Sequence, residues 1–332
     1  MNSTLLIYIP TYNGNSRIST ALNGVFAAID SLPEQLKTNV IVHVNDNAST
    51  DNTLEVCNQY KHKLNFNVAS NEVNVGMHKN IFKGIELNYD QDFTWIIGDD
   101  DILATNALLR LFNFLEQLSQ NHNALNVDLI HVNYCAINME VFSKKNILDL
   151  IKNNQIKGWV ANQKFKQPSL CKLPDLIDPL VEPTCFGSTM NFVFNSKKVR
   201  DKCKSIISLD FELEWKDLDR SALKAHPLTS ALIHSFDRQT DCLVDPAISL
   251  YVTVGHQPWT PFKDALIAIG SVNILFEAKD LGIITQEHLM HALHNLVKTH
   301  KKEFKNVLLS NEFEKLDNRY KDTLLKALFW DC

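Results

Sequence analysis

The feature that most constrains the fold is the alternation, over the first 135 residues, of short apolar runs with longer amphipathic stretches. The apolar runs are rich in β-branched residues and lack polar alternation, which is typical of strands covered on both faces of a parallel sheet. We therefore expect an α/β fold with a mostly parallel sheet flanked by helices. The predicted strands are 5–9, 40–45, 66–69, 93–97 and 128–133, and the predicted helices are 18–31, 52–60, 77–87 and 106–120.

The rest of the chain is predicted to contain connecting segments, one more strand and a run of helices. Periodicity weakens over 136–183, where four prolines occur, so we expect connections there rather than a new core. A strand is predicted at 190–195, and helical periodicity dominates 262–329.

Composition argues against several classes of protein. The 332 residues hold 33 Lys and Arg, scattered along the chain, against 38 Asp and Glu, and a net charge of −5 argues against nucleic-acid binding. The N-terminus lacks the features of a signal peptide, and no run approaches the roughly 20 apolar residues that span a bilayer. The seven cysteines form no CxxC pair. We expect a cytoplasmic protein with reduced thiols.

Three consecutive carboxylates, Asp99, Asp100 and Asp101, follow the predicted strand 93–97. Adjacent carboxylates at the end of a buried strand repel one another unless a cation neutralises them, and Mn²⁺ or Mg²⁺ takes oxygen ligands and bridges to a diphosphate. The alternative is a solvated acidic turn before the next helix. The carboxyl edge of the sheet favours a ligand site, because open α/β sheets bind ligands there.

Polar segments also follow the first two predicted strands and open the helix before the acidic cluster. An aspartate in this position can accept from the imide N–H of a uracil-like base, and Asn and Ser side chains reach ribose hydroxyls. Gly76 permits close backbone approach, and a helix N-terminus favours phosphate. Each segment alone would be an ordinary turn or cap. The candidate nucleotide-binding residues are Pro10, Thr11, Tyr12, Asn13, Asp46, Asn47, Ser49, Asn74, Gly76, Asn80, Asp99 and Asp100.

The motifs PTYN, DNASTD, NVG and DDD, in this order, resemble the family-2 glycosyltransferases of the GT-A fold, whose acidic signature is of the DXD type. WIIGDDDIL, with NVGMHKN upstream, is similar to the abequosyltransferase-like branch that builds bacterial surface polysaccharides. The resemblance implies a GT-A type, Rossmann-like sheet with a helical C-terminal extension. The implied organisation is a nucleotide-sugar-binding half (1–135), an acceptor-side half of the same domain (136–261) and a helical C-terminal region (262–332).

The resemblance also implies roles for individual residues. Thr11 and Asp46 would hold the nucleotide, with Asp46 on the base. Asp99 would lie against the ribose or the metal, and Asp101 would ligate Mn²⁺ or Mg²⁺ directly. Asn45 stands where many members carry another acid. A C-terminal histidine completes the metal shell in some GT-A enzymes; the candidates here are His226 and His256, for which a surface or structural role is the alternative.

An inverting transfer needs a carboxylate near the acceptor hydroxyl as general base. The ED-type motif that supplies it in the family is missing from this sequence. The candidates are Asp217 and Asp219, which precede an amphipathic helix predicted near Ser221. Acids that merely stabilise the start of a helix are the alternative.

We therefore expect a metal-dependent, inverting glycosyltransferase of the hexosyltransferase type. It would move a sugar from a UDP-type donor to a glycan or lipid-linked glycan in capsule, O-antigen or lipooligosaccharide synthesis. A non-catalytic binding or scaffold module of the same fold is one alternative. A nucleotidyltransferase is another, although 10–16 lacks the Gly-rich loop with a basic residue that it needs.

The C-terminal helices have three candidate roles. They would cover the acceptor side, form a homodimer, or lie on the inner face of the membrane as a peripheral contact. The third follows from a cluster of lysines that suits anionic lipid, although lysines on an exposed helix are also an ordinary solvated face. The cluster consists of Lys298, Lys301, Lys302 and Lys305.

Overall fold

A ten-stranded sheet forms the centre of the computed structural model. The strands are β1 Leu5–Thr11, β2 Val40–Asp46, β3 Phe66–Ser70, β4 Phe93–Ile96, β5 Asp101–Leu103, β6 Val127–Asn138, β7 Trp159–Val160, β8 Ser169–Lys172, β9 Phe192–Asn195 and β10 Asp241–Val254. The model describes residues 3–120, 127–184, 188–207, 226–254, 264, 266–309, 318, 321–322 and 325.

Helices cover both faces of this sheet. The helices before β9 are α1 Ile18–Asp30, α2 Glu34–Lys37, α3 Thr53–Asn58, α4 Met77–Glu86, α5 Ala107–Gln120, α6 Met139–Phe142, α7 Ile147–Lys152 and α8 Leu173–Leu176. The later helices are α9 Ser196–Ile207, α10 Pro227–Ser235, α11 Ser271–Asp280, α12 Gln286–Thr299 and α13 Lys301–Leu308.

The strand order is β3-β2-β1-β4-β9-β6-β10-β5, with β7 beside β6 and β8 beside β10. Strands β3, β2, β1 and β4 are mutually parallel, and β6 and β10 are also parallel. Strand β9 lies antiparallel between β4 and β6 and joins the two groups. The predicted α/β class with a mostly parallel sheet is confirmed.

Strand β1 shows why the apolar runs lack polar alternation. Successive side chains of a strand point to opposite faces. Leu6 and Tyr8 therefore enter one hydrophobic core, and Leu5, Ile7 and Ile9 enter the other. Each of these side chains is at most 1% exposed, and burial of each aliphatic one contributes about 1.5–3 kcal/mol. Because both faces are covered by helices, the strand requires apolar residues at consecutive positions.

The C-terminal helices belong to the same core as one face of the sheet. Leu275 of α11, Leu293 of α12 and Phe304 of α13 pack in one cluster with Leu6 and Tyr8 of β1. The predicted helical character of this region is confirmed over Ser271–Leu308, where it follows a π-helical turn. Among the described residues, no helix is long and apolar enough to cross a membrane.

Two features differ from the sequence prediction. No strand was predicted at Asp101, which begins β5 because it pairs with Val252 of β10, a partner 151 positions away that no local pattern shows. The segment 136–183 was expected to connect elements. In the structure β6 continues to Asn138, and β7 and β8 add to the sheet. Residues 208–225 and 255–263, which include Asp217, Asp219 and His256, lie outside the described residues.

Candidate active site

Polar side chains meet where the parallel strands end. Thr11, the last residue of β1, pairs in register with Asp46, the last residue of β2, and Asp46 pairs with Ser70 at the end of β3. The acidic segment Gly98–Asp101 follows β4, the other neighbour of β1. The register of the parallel strands therefore places Thr11, Asp46 and the acidic cluster along one sheet edge, as the sequence predicted.

The carboxylate of Asp46 is held in one orientation. Ser70 donates its hydroxyl to Asp46 Oδ2 at 2.9 Å, and the backbone N–H of Ser49 donates to the same oxygen at 3.1 Å. The Ser49 hydroxyl bonds to Oδ1 and in turn accepts the N–H of Asn13 at 2.8 Å. Asp46 is 1% exposed. These contacts tie the segments after β1 and β2 together around a fixed carboxylate.

Asparagine side chains form a network behind this edge. Asn47 Nδ2 donates to Asn74 Oδ1 at 2.8 Å, and Asn71 Nδ2 donates to Asn47 Oδ1 at 2.7 Å. Asn45 Nδ2 donates to Asn80 Oδ1 at 2.6 Å and to Asn71 Oδ1 at 3.1 Å. Asn47, Asn74 and Asn80, predicted as nucleotide contacts, thus belong to one network with Asn45 and Asn71 at the start of α4. Their role toward a nucleotide stays a prediction.

This network explains why position 45 holds an asparagine and not an acid. Its amide donates to two carbonyl oxygens, which a carboxylate cannot do. Gly76 precedes α4 with φ +85°, a left-handed conformation that favours glycine. Both residues therefore shape the loop that opens α4.

Asp99 has two partners from the loop after β1. Thr11 Oγ1 donates to Asp99 Oδ2 at 2.6 Å, and Arg17 Nη2 reaches the same oxygen at 3.0 Å. Burial raises the pKa of Asp99, and the positive charge of Arg17 opposes that rise. A Cβ on Gly14 would lie 2.3 Å from Asp99 Oδ2, so the loop closes over the carboxylate only with glycine there.

Arg17 was missed by the sequence analysis. It follows directly after the segment 10–16 in which a basic residue was sought. The ion pair with Asp99 joins residues 82 positions apart, and the Arg17 side chain remains 22% exposed. The three acids therefore do not rely on a bound cation alone, because Arg17 neutralises Asp99.

Asp100 and Asp101 have different environments. Thr253 of β10 donates its hydroxyl to Asp100 Oδ2 at 2.7 Å. Asp101 is 2% exposed and accepts the backbone N–H of Gly98 at 2.7 Å. Burial, and then the charge of Asp100, raise the pKa of Asp101 well above its usual range. A bound cation would therefore stabilise the charged form of Asp101.

Other candidate residues are not gathered with these acids. Tyr12 is 43% exposed. His226 precedes α10 and lies beside His78 of α4, whose pKa is lowered to about 4 by burial and then by the charge of His226. Within the described ranges, no group of three or more His, Cys, Asp or Glu side chains is placed to hold a metal ion. A ligand role for His226 stays a prediction.

A buried glutamate near the acidic cluster was also missed. Glu182 is fully buried and accepts from the backbone N–H of Thr184 at 3.0 Å, from its hydroxyl at 2.6 Å and from the Ser188 hydroxyl at 2.7 Å. Burial and then the charge of Glu182 raise the pKa of Tyr134 on β6, with a smaller contribution from the charge of Asp101. Glu182 and Tyr134 therefore lie on the side of the acidic cluster away from β2.

Known proteins resemble this chain in sequence and in structure. Residues 6–138 match the family model described as glycosyl transferase family 2. The chain is 32% identical over 110 residues to abequosyltransferase RfbV of Salmonella typhimurium, an alignment that covers 32% of this chain and 31% of that protein. It is 25% identical over 173 residues to the Staphylococcus aureus poly(ribitol-phosphate) beta-N-acetylglucosaminyltransferase TarS, covering 52% of this chain and 29% of TarS. The chain thus spans about a third of the length of these curated relatives.

Solved structures of glycosyltransferases share the fold. The crystal structure of S. aureus TarS 1–349 in complex with UDP aligns with 98% of this chain and 79% of that chain, with a TM-score of 0.58 and 18% identity. A mannosyltransferase from Pyrobaculum calidifontis, in complex with GDP-Man and Mn²⁺, aligns with 99% of this chain and 85% of that chain, with a TM-score of 0.53 and 11% identity. The predicted GT-A fold is confirmed. The family model that matches residues 6–138, glycosyl transferase family 2, is the family that the order of the motifs resembles.

Proposed function

We propose that this chain is a glycosyltransferase that moves one sugar from a nucleotide-sugar donor of the UDP type to a glycan acceptor in bacterial surface-polysaccharide synthesis. The observation that carries the proposal is the meeting of Thr11, Asp46 and the acidic cluster at one sheet edge, with Thr11 bonded to Asp99. Sequence relatives named as transferases support it, as does the neighbouring TarS structure that contains UDP.

The proposed donor site begins at Asp46. Uracil presents an N–H at the ring position where cytosine presents a lone pair. A fixed carboxylate therefore accepts a hydrogen bond from uracil and is repelled by the lone pair of cytosine. Asp46 is ionisable, buried and held by Ser49 and Ser70, and in the proposed complex its Oδ1 accepts the uracil N–H. The exposed edge of the Arg17 guanidinium adds positive charge near Asp99, where the diphosphate would lie.

Asp101 and Asp99 are the proposed ligands of a divalent cation, Mn²⁺ or Mg²⁺. The fit rests on Asp101, a buried carboxylate that lies next to the charge of Asp100 and accepts the backbone N–H of Gly98. A bound cation would supply Lewis-acid stabilisation to the departing diphosphate. Remaining ligands would come from the donor and from His256 or His226.

The proposed transfer inverts the anomeric carbon. The acceptor hydroxyl attacks that carbon as the bond to the diphosphate breaks, and the hydroxyl proton passes to a carboxylate acting as general base. Asp217 and Asp219 remain the proposed candidates for this base. Glu182 is unsuited to the role, because it is fully buried and its oxygens already accept hydrogen bonds from Thr184 and Ser188.

Calorimetric titration with UDP, GDP, CDP and dTDP, with and without Mn²⁺, tests the donor site. We expect metal-dependent binding of UDP that is lost in Asp101→Asn and retained in Asp149→Asn, a matched change on an exposed position of α7. Binding of none of the four nucleotides would contradict the proposal. Metal-dependent hydrolysis of a UDP-sugar then distinguishes an enzyme from a binding module of the same fold.

A further inference from the structure

Four lysines, which we call the lysine stripe, lie along the last two helices of the described chain. All four are exposed. Helix α12 ends and α13 begins at His300, which has φ −113° and ψ 38°; His300 N donates to Leu296 O at 2.9 Å, and Phe304 N donates to His300 O at 3.0 Å. The lysine stripe consists of Lys298, Lys301, Lys302 and Lys305.

The lysine stripe faces away from the hydrophobic core. On α13, at about 100° per residue, Lys301, Lys302 and Lys305 fall within an arc of roughly 100°. Lys298 is an exposed position in the last turn of α12. On the same scale, the buried side chains of Phe304 and Val307 lie on the other side of α13. The packing of the two helices therefore fixes the stripe as an outward surface.

The positive charge of the stripe is not neutralised by the rest of the described chain. Lys37, Lys164 and Lys198 each form an ion pair with an acid, whereas no ion pair of a described residue involves the stripe. The neighbouring acid Glu303 lies 4.0 Å from His300 instead. Because the whole chain has a net charge of −5, these four lysines, three of them on one face of α13, form a local exception.

An exposed leucine continues the stripe. Leu309 directly follows α13 and is 78% exposed. By helical phase it lies within the arc of the lysines. Lysines beside a projecting apolar side chain match the boundary between lipid headgroups and acyl chains, whereas a soluble polyanion offers nothing to the leucine.

A short series of contacts connects the lysine stripe to the acidic cluster. His300, between Lys298 and Lys301, has its Nε2 2.9 Å from the carbonyl oxygen of Pro183. Pro183 follows Glu182 in the chain. Glu182 forms a hydrogen bond with Tyr134, and the charge of Asp101 also acts on Tyr134. A surface that bound the stripe would therefore lie beside the segment that borders the candidate active site.

We infer that the lysine stripe is a docking surface for the anionic headgroups of a lipid membrane. Four lysines supply the long-range attraction, and Leu309 inserts its side chain at the surface. Because lipid binding is measured without a sugar donor or acceptor, its outcome is independent of the proposed transferase activity.

Co-sedimentation of the full chain with lipid vesicles tests the inference. We expect binding to phosphatidylcholine vesicles that contain phosphatidylglycerol, little binding to phosphatidylcholine alone, and release by high salt. Each lysine near the surface contributes roughly fivefold to partitioning, so the double variant Lys301→Glu, Lys305→Glu should bind at least about tenfold more weakly. Leu309→Gln should weaken binding without changing its dependence on salt.

The matched control is Lys144→Glu, Lys145→Glu, which makes the same charge change in an exposed turn before α7 and should bind within about twofold of the parent. An equal loss in both double variants would show that total charge, not the stripe, drives binding. No preference for anionic vesicles would also overturn the inference. So would binding to soluble polyphosphate without binding to vesicles. Lys301→Gln, Lys305→Gln serves as a second variant if charge reversal impairs folding.

Discussion

The hydroxyl of Thr11 donates a 2.6 Å hydrogen bond to Asp99, which joins the end of the first strand to the acidic cluster 88 residues later. Thr11→Val keeps the shape and removes this bond. Because hydrogen bonds to charged groups contribute about 1.5–3 kcal/mol, we expect nucleotide affinity to fall roughly tenfold or more. Calorimetric titration with UDP and Mn²⁺ measures this change. The exposed Thr38→Val is the control, and an equal effect of both variants would exclude a role for the bond.

Gly14→Ala should affect the site more than the fold. The added Cβ would lie 2.3 Å from Asp99 Oδ2 and 2.4 Å from Thr11 Oγ1, so either the loop or the carboxylate must move. Gly76→Ala is the contrasting variant, because a Cβ there meets no atom within 4 Å and the cost comes from φ +85°. We expect titration to show lost UDP binding for Gly14→Ala and thermal unfolding to show a cost of about 1 kcal/mol for Gly76→Ala. Unchanged UDP affinity in Gly14→Ala would contradict the described geometry.

Asn45→Asp should destabilise the protein without improving donor binding. An ionised carboxylate would face the side-chain oxygens of Asn80 and Asn71, to which the Asn45 amide now donates at 2.6 and 3.1 Å. We expect a loss of about 1–3 kcal/mol in the free energy of unfolding at neutral pH. The loss should shrink at acidic pH, since a protonated carboxyl donates one bond. Denaturant unfolding at both pH values measures this, and a pH-independent loss would point to another cause.

The sequence was sufficient to predict the sheet but not every strand. Strand β1 was recognised because Leu5, Ile7 and Ile9 enter one core while Leu6 and Tyr8 enter the other, which makes the whole run apolar. Its end was placed two residues early, since Pro10 resembles a strand terminator and lacks an N–H. Strand β5 was missed because an aspartate begins it and its partner, β10, is distant in the chain.

The position of the candidate site at one sheet edge was predictable for a similar reason, whereas the contacts that support it were not. Acids after apolar strands are visible in one sequence, and parallel pairing places them on one edge. The ion pair of Arg17 with Asp99 joins loops 82 positions apart and leaves no local pattern. Glu182 was missed because a single glutamate among prolines is indistinguishable from an exposed loop residue until its burial is known.

We expect Glu182 to act as a positioning residue for the segment beside Tyr134. Glu182→Gln replaces one acceptor oxygen with a donor, although the carboxylate now accepts from Thr184 and Ser188. The expected result is a fall in kcat of about tenfold or more with UDP affinity unchanged, because the proposed donor site at Asp46 is separate from Glu182. Steady-state kinetics and titration together measure this split. Parallel losses of stability, UDP affinity and kcat would instead indicate a purely structural role.

Asp101→Asn should make the protein more stable while it removes metal-dependent binding. Burial and the neighbouring charge of Asp100 raise the pKa of Asp101, so its folded-state pKa exceeds its unfolded value. An acid shifted in this direction destabilises the fold as pH rises through the interval between the two values, and the cost is fully present above both. An asparagine has no such charge and can still accept the N–H of Gly98.

In the absence of divalent cations at neutral pH, we expect a higher Tm for Asp101→Asn than for the parent chain. With Mn²⁺ and UDP the order should reverse, since only the parent gains stability from binding. A lower Tm for the variant under both conditions would show that the ionised carboxylate stabilises the fold and is not reserved for a cation.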